Sequence, residues 1–402
     1  MKKRDLYLDQ LIQFKDTPLI KVITGIRRCG KSTLLSLFEE HLYQQGVRQE
    51  QIIRMNFEAF EFDEIRNYQA LYSYIKGKMT SSALKYYILL DEVQQVSSWE
   101  KAINSFLVDS NADIYITGSN AYLLSSELST LLSGRYVEIK MLPLSFREYL
   151  EFNNFKHEDD IDVLFNIYLE YGGLPTVVEL MDHPDTIPPF LTGIYNTVIV
   201  KDVVQRNKVR DVALLESVLK FIAANVGSTV STKKISDYLT SSGRKTTSDT
   251  IDNYLRMLEN AFIIHRANRY DLKGKLFLKT YEKYYIADIG LRNQLTGLRG
   301  ADFGHVLENV VYLELLRRGF SVSIGKIGAS EVDFVATKFD QKIYYQVSAS
   351  IIDEETRKRE LRPLQAISDY YPKVILSMDK TIFKDFEGIR NVNIIDFLLD
   401  NG

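Results

Sequence analysis

Between residues 18 and 138 the apolar positions fall in short unbroken runs separated by stretches of helical spacing. Ile20–Thr24, Ile52–Phe57, Tyr86–Leu90, Asp113–Thr117 and Tyr136–Ile139 read as strands. Runs without polar alternation fit a parallel sheet covered by helices on both faces, so an α/β domain is expected. After Leu142-Pro143-Leu144 the strand runs stop. Phe146–Arg210 carries helical spacing, interrupted by Gly172-Gly173-Leu174-Pro175, and looks like a helical lid. Helices follow over Ala213–Asn225, Thr232–Leu239 and Thr247–Asn260, then short strands around Ile263–Arg269 and Leu276–Ile286. Three helices followed by a β-hairpin is the order of a winged helix. From Gly304 the pattern predicts a helix (His305–Arg318), strands near Ser321–Ile324, Glu331–Thr337 and Lys342–Ala349, and a helix (Glu354–Ser368). Strands near Lys373–Ser377 and Asn393–Ile395 complete a small α/β unit.

Composition narrows the picture in three places. At 402 residues the chain has room for two to four domains of roughly 100–200 residues each. A net charge of −3 excludes a uniformly basic nucleic-acid coat, so any such contact must come from a local patch. Cys29 is the only cysteine, which excludes an intramolecular disulfide. The start, MKKRDLYLDQ, lacks the apolar stretch of a signal peptide, and no run approaches the roughly 18–20 apolar residues that span a bilayer. The expectation is a cytoplasmic protein with no membrane partner.

The segment Gly25-Ile26-Arg27-Arg28-Cys29-Gly30-Lys31-Ser32, with Thr33 opening the next helix, fits G-x-x-x-x-G-K-[ST] between a strand and a helix. Its glycines let the loop curl so that backbone N–H groups converge on phosphate oxygens. Lys31 is placed to reach the β- and γ-phosphates of ATP, and the Ser32 hydroxyl to ligate Mg²⁺. Cys29 reads as a small loop residue. Arg27 and Arg28 can face nucleotide, a neighbour or water.

Tyr86-Tyr87-Ile88-Leu89-Leu90-Asp91-Glu92 is an apolar strand ending in two carboxylates, at the sheet edge where α/β proteins bind ligands. Asp91 is expected to hold Mg²⁺, commonly through water, and Glu92 to orient or activate the attacking water. Ile52–Phe57 is an extra strand between the two motifs, typical of P-loop ATPases that use a strand-end glutamate. The strand Ile114–Thr117 leads into Gly118-Ser119-Asn120, where Asn120 or Ser119 can hydrogen-bond the γ-phosphate or the water; Ser119 could equally be a helix N-cap. Arg135 is a candidate charge stabiliser for the transferring phosphoryl group, supplied within the chain or by a neighbouring copy in a homo-oligomer, or else an ion-pair partner at the sheet edge.

Together GIRRCGKST, LLDEVQQV, ITGSNAYLL, LLSGRYVEI and PLSFREYL resemble a bacterial and archaeal family of AAA-type P-loop ATPases. That resemblance covers nearly the whole chain. It implies ATP binding and hydrolysis, and a C-terminal domain similar to a PD-(D/E)XK nuclease fold. The implied organisation is an ATPase core at 1–142, a helical lid at 143–211, a winged-helix-like domain at 212–299 and the nuclease-like domain at 300–402.

In the nuclease-like part Glu308 and Asp333 match the acids of the family pattern. Gln346 and Ser348 stand where a glutamate and a lysine are expected, which leaves Lys326 or Lys342 to supply the cation and makes cleavage doubtful. Residues 233–283 carry eleven Lys/Arg against six Asp/Glu, a local excess of 11 − 6 = +5. This stretch, or the C-terminal domain, is where DNA would be touched; yet Asp249, Asp252 and Glu259 on the third helix suit a groove poorly, and a packing role fits as well. The reading is a nucleotide-driven switch or motor acting on DNA or a DNA-associated partner. A nucleotide-gated sensor with little turnover and an ATP-regulated nuclease are the alternatives.

Overall fold

The apolar runs of the first part form one five-stranded parallel sheet, its three central strands buried on both faces and its two edge strands partly exposed. The strands are β1 (Ile20–Thr24), β2 (Ile52–Asn56), β3 (Tyr86–Asp91), β4 (Ala112–Gly118) and β5 (Tyr136–Lys140), in the order β2-β3-β4-β1-β5. The computed structural model describes residues 2–109, 111–121, 134–153, 155, 160–297, 302–380 and 385–400. It divides into two units, Met1–Leu142 with Asn260–Phe262, and Pro143–Glu259 with Ile263–Gly402.

In the first unit all five residues of β1 and all six of β3 are buried. Helices Asp5–Gln13, Lys31–Gln44, Tyr68–Lys78 and Trp99–Asp109 flank the sheet. One core packs Ile53, Met55, Leu71, Ile75, Ile88, Leu90, Trp99, Ile103 and Phe106. At the amino ends of β1 and β4 a buried Lys21–Asp113 ion pair is closed by the Tyr115 hydroxyl and the Asp16 N–H, both donating to Asp113. These groups satisfy one another, so that end of the sheet is sealed. The register brings Thr24 beside Gly118 and Asn56 beside Asp91, so the carboxyl ends of four strands open onto one edge.

The second unit starts helical: Phe146–Asn153, Ile161–Tyr171, Pro175–Glu179 and Ile187–Thr197, the last running into a wider π-helical segment, Val198–Gln205. The Gly172-Gly173 break is held from afar. The Asp288 carboxylate accepts from Gly173 N at 2.7 Å and from Leu291 N at 3.1 Å, and burial pushes its carboxyl up to about 6. Helices Val212–Ala224, Thr232–Ser241 and Ser248–Asn260 come next, each close to its sequence expectation.

The following hairpin departs from that expectation. Its strands β6 (Ile264–Asp271) and β7 (Leu276–Ile286) belong to an eight-stranded sheet with β8 (Ser321–Ile327), β9 (Ser330–Lys338), β10 (Gln341–Ser348), β11 (Lys373–Ser377), β12 (Asp385–Phe386) and β13 (Ile389–Asn393). The order is β12-β13-β11-β10-β9-β8-β6-β7, and β6 pairs in parallel with β8 through Arg269–Ile324, Tyr270–Gly325 and Asp271–Lys326. The hairpin assigned from sequence to residues 212–299 is thus hydrogen-bonded to a strand assigned to 300–402. Period-two alternation marks a strand but not its partner, and these partners lie some fifty residues apart. A smaller correction falls at the end. Asn393–Ile395 reads as a strand, yet Asn393 accepts from Ile395 N and Asp396 N and so caps the helix Ile394–Leu399.

Candidate functional site

The site is built at the open edge of the five-stranded sheet. Gly25 follows β1 at φ 146°, and a Cβ there would fall 2.1 Å from the Met141 carbonyl oxygen, so only glycine fits. Gly30 at φ 103° is the N-cap of helix Lys31–Gln44 and has no side chain to satisfy the first-turn N–H groups. A loop of this shape suits an anion at the helix N-terminus. Lys31 is buried, and its ammonium donates to the Gly25 and Ile26 carbonyls at 3.0 and 3.2 Å. Ser32 and Thr33 are exposed in the first turn. Arg27 turns to Glu58 at 3.1 Å, and Arg28 adopts a left-handed φ of 68°. Cys29 is fully buried, and burial pushes its thiol up, which suits a packing residue.

Asp91 ends β3, nearly inaccessible, and its carboxylate accepts from the Thr117 hydroxyl of β4. The same hydroxyl accepts from Glu92 N at 3.0 Å. Glu92 itself sits at φ 55°, ψ 44°, a left-handed conformation uncommon for a residue with a Cβ. Such an outlier persists only where its surroundings hold it, and Thr117 supplies that hold. The turn aims the Glu92 carboxylate toward the phosphate loop. Glu92 Oε1 lies 4.0 Å from Lys31 Nζ, while Oε2 accepts from Gln94 Nε2 and, at 3.4 Å, from Ser119 Oγ.

The structure therefore gathers Lys31, Asp91, Glu92 and Ser119, four side chains named from the sequence. Asn120 is buried beside Ser119. Arg135 stands apart, exposed just ahead of β5, with its carbonyl accepting from Ile20 N at 2.9 Å. Part of its motif, residues 131–133, lies outside the described residues, as do residues 122–124 of the sensor segment. Two contributors were assigned no role from the sequence. Arg4 is buried, and Nη1 donates to the Cys29 carbonyl at 3.1 Å and the Leu142 carbonyl at 2.8 Å, tying the phosphate loop to the end of the unit. Thr117 stands in the ITGSNAYLL segment, where it was read only as a strand residue.

A second constellation lies in the other unit. Glu308 (on helix Phe303–Arg317), Glu331 and Asp333 (both on β9) surround Lys283 of β7, with Nζ–O distances of 2.9, 3.0 and 3.3 Å. Tyr285 donates to Glu308 Oε1 at 2.6 Å, and His305 lies 3.5 Å from Oε2. Burial opposes ionisation of Glu308, yet Lys283 and the bonds from His305 and Tyr285 outweigh it and hold the carboxyl below its ordinary value. Burial and then the Glu308 charge push Asp333 up to about 7. Gln346 is drawn elsewhere: Nε2 donates to Glu360 at 2.9 Å and Oε1 accepts from Asp333 N at 3.3 Å. The cation held between Glu308 and Asp333 is Lys283; Lys342 lies over the Tyr371 ring at 4.7 Å, and Lys326 stands opposite Glu331 in the β8–β9 ladder. Lys283 was hidden because its partners are 25, 48 and 50 residues away. Among the described residues, no group of three or more His, Cys, Asp or Glu is arranged to hold a metal ion. No helix among them is long and apolar enough to cross a membrane.

Residues 17–150 match the family model of an AAA domain, so the first unit is an AAA-type P-loop domain. Residues 163–302 match a domain of unknown function, DUF8612. The chain is 46% identical over 402 residues to an uncharacterized protein of Haemophilus influenzae, covering 99% of both. It is 30% identical over 422 residues to an uncharacterized protein of Methanocaldococcus jannaschii, MJ1544, covering 98% of this chain and 89% of that one. The chain belongs to the family these two proteins represent, an AAA-domain family found in a bacterium and an archaeon. Among solved structures it is similar to the Walker-type ATPase paby2304 of Pyrococcus abyssi, at 17% identity and TM-score 0.48, over 73% of this chain and 96% of the other. That is a loose likeness with no bearing on activity.

Proposed function

We propose that the first unit binds ATP and hydrolyses it. The observation that carries this reading is the meeting of Lys31 and Glu92, 4.0 Å apart, from a phosphate loop and a strand end on either side of β4. The loop from Gly25 to Ser32 receives the phosphates on its backbone N–H groups. Lys31 exchanges its two loop carbonyls for the β- and γ-phosphate oxygens. Ser32 and Asp91 are the residues that would hold Mg²⁺, which when bound draws charge from the β- and γ-phosphoryl oxygens. Glu92 accepts a proton from the attacking water, and Ser119 with Asn120 reports the γ-phosphate. Exposure of Arg135 supports the reading in which it serves a neighbouring copy.

The test is Glu92→Gln. The amide keeps the shape and loses the base, so turnover should fall by roughly 10²–10⁴ while ATP affinity stays level or improves. Improvement is reasonable because one negative charge beside the γ-phosphate is gone. Steady-state turnover and calorimetric titration with ATP, run side by side, check both halves. Turnover within a few-fold of the unaltered protein, or loss of affinity and turnover together, would remove Glu92 from this role.

For the second unit we propose contact with the DNA backbone. Lys233, Lys234, Arg244, Lys245, Lys273 and Lys275 are exposed and support it. The usable charge is smaller than the sequence count. Lys283 is buried among carboxylates, Arg266 is tied to Glu259 at 2.7 Å, and Arg256 to Asp252 at 3.3 Å. Each exposed lysine that meets a phosphate should, on removal, lower the slope of log affinity against log salt by about one. Fluorescence anisotropy with labelled duplex and single-stranded DNA across a salt series measures it; an unchanged slope in Lys273→Ala/Lys275→Ala places the contact elsewhere. A nucleolytic role has less support, because the Lys283 ammonium sits between the carboxylates that a catalytic metal would need.

A further inference from the structure

Gln94 stands in the LLDEVQQV segment that carries the family resemblance, with no role of its own assigned there. It lies on the short 3-10 turn Val93–Gln95 that directly follows Glu92. The left-handed backbone at Glu92 folds the chain back, so the side chains of residues 92 and 94 meet, and Gln94 Nε2 donates to Glu92 Oε2. A carboxylate only accepts from this partner, so the nitrogen of the amide must face Glu92 and the oxygen must face away. That oxygen, Oε1, is buried, and none of the described residues donates to it. Leaving a buried acceptor unsatisfied is costly. Here that acceptor lies on the side chain that fixes Glu92, whose other oxygen, Oε1, is aimed toward Lys31.

Resting on the hydrolysis reading above, we propose that Gln94 positions the attacking water, with Nε2 fixing Glu92 and Oε1 accepting the hydrogen that Glu92 does not take. Water carries two hydrogens, and aiming its lone pair requires an acceptor for each. In the step itself the water oxygen bonds to the γ-phosphorus and one proton passes to Glu92. The bond to the β,γ-bridging oxygen breaks, ADP leaves with that electron pair, and the second hydrogen stays on inorganic phosphate. Glu92 later releases its proton to solvent. Losing either arm of Gln94 leaves the base present and the water unaimed, which lowers kcat and spares binding.

The experiment uses the full chain with Gln94→Ala and the near-isosteric Gln94→Glu, the second guarding against a folding defect in the first. In both, affinity for a non-hydrolysable ATP analogue should stay within about twofold, while kcat falls about tenfold or more, a share of the roughly 10²–10⁴ that the base contributes. Affinity for ADP with aluminium fluoride, which copies the planar phosphoryl and its in-line water, should fall by the same factor, with ADP alone unchanged. Gln94→Glu sets a second carboxylate beside Glu92, so its kcat–pH profile should move to higher pH. Glu92→Gln combined with Gln94→Ala should lose less than the product of the two single losses, because both groups act on the same water. Unchanged kcat in Gln94→Ala, a multiplied loss in the double variant, or ATP affinity falling in step with kcat would each overturn the proposal. Failure of the hydrolysis reading looks different: the unaltered protein would bind ATP with Mg²⁺ and release no phosphate.

Discussion

Lys31→Ala is expected to weaken ATP binding by about 10²-fold or more. A hydrogen bond to a charged group is worth about 1.5–3 kcal/mol, and Lys31 can offer several to the β- and γ-oxygens. Each 1.4 kcal/mol is a factor of about ten in the dissociation constant. Of the other cations at the loop, Arg27 points to Glu58, Arg4 is engaged with the carbonyls of Cys29 and Leu142, and Arg28 is exposed. The loss should be electrostatic as well as local. Lys31 is the positive charge 4.0 Å from the Glu92 carboxylate, so without it that carboxylate repels the γ-phosphate unopposed. Calorimetric titration with a non-hydrolysable ATP analogue gives the number, and far-ultraviolet circular dichroism shows that the fold survives. Adding Glu92→Gln to Lys31→Ala should recover part of the affinity, because it removes the unopposed charge. Affinity within threefold of the unaltered protein would mean that the phosphates are held elsewhere.

The first unit was largely legible because its signals are local. A strand buried on both faces writes itself as an unbroken apolar run, and β1 and β3 are such runs. The phosphate loop needs Gly25 and Gly30 where the backbone takes φ 146° and 103°, and those two requirements appear directly as residue types. What stayed hidden depends on a neighbour far along the chain. Thr117 read as one more strand position, yet its hydroxyl holds both Asp91 and Glu92 from the adjacent strand. Arg4 belongs to a charged amino-terminal stretch that reads as solvated, and it is nevertheless buried against the loop.

The second unit was less legible for the same reason at larger scale. Helices Val212–Ala224 to Ser248–Asn260 were visible from spacing, but the hairpin after them pairs with a strand that follows two helices later. Alternation along β6 and β7 could not tell a free wing from two strands of a larger sheet. The acids Glu308 and Asp333 were picked out, and the cation between them was sought at positions close in sequence. Lys283 comes from the hairpin, so finding it required the sheet order first.

That order makes Lys283→Met the most damaging substitution expected in the second unit. Methionine keeps the length and removes the ammonium, leaving Glu308 and Asp333 buried without their shared partner. Breaking a buried charge pair by removing one member costs about 3–5 kcal/mol, a large part of the roughly 5–15 kcal/mol that holds a domain folded. The loss should depend on pH in a known direction. Asp333 in the unaltered protein is already pushed up to about 7, so folding favours its proton, and this group's contribution declines as pH rises from near 4 through about 7. Without Lys283 both carboxyls gain proton affinity in the folded state and can fold cheaply only as acids. The deficit of Lys283→Met against the unaltered protein should therefore be larger at pH 7.5 than at pH 5. Urea titrations of the full chain at the two pH values give the deficit. Hydrogen–deuterium exchange in peptides from β7 and the helix Phe303–Arg317 places it in this cluster. Neutralising the two buried carboxyls with Glu308→Gln and Asp333→Asn in the Lys283→Met background should restore much of the stability, because an unpaired buried charge is what the single change creates. Equal deficits at both pH values, or no deficit at pH 7.5, would show that the ammonium contributes packing alone.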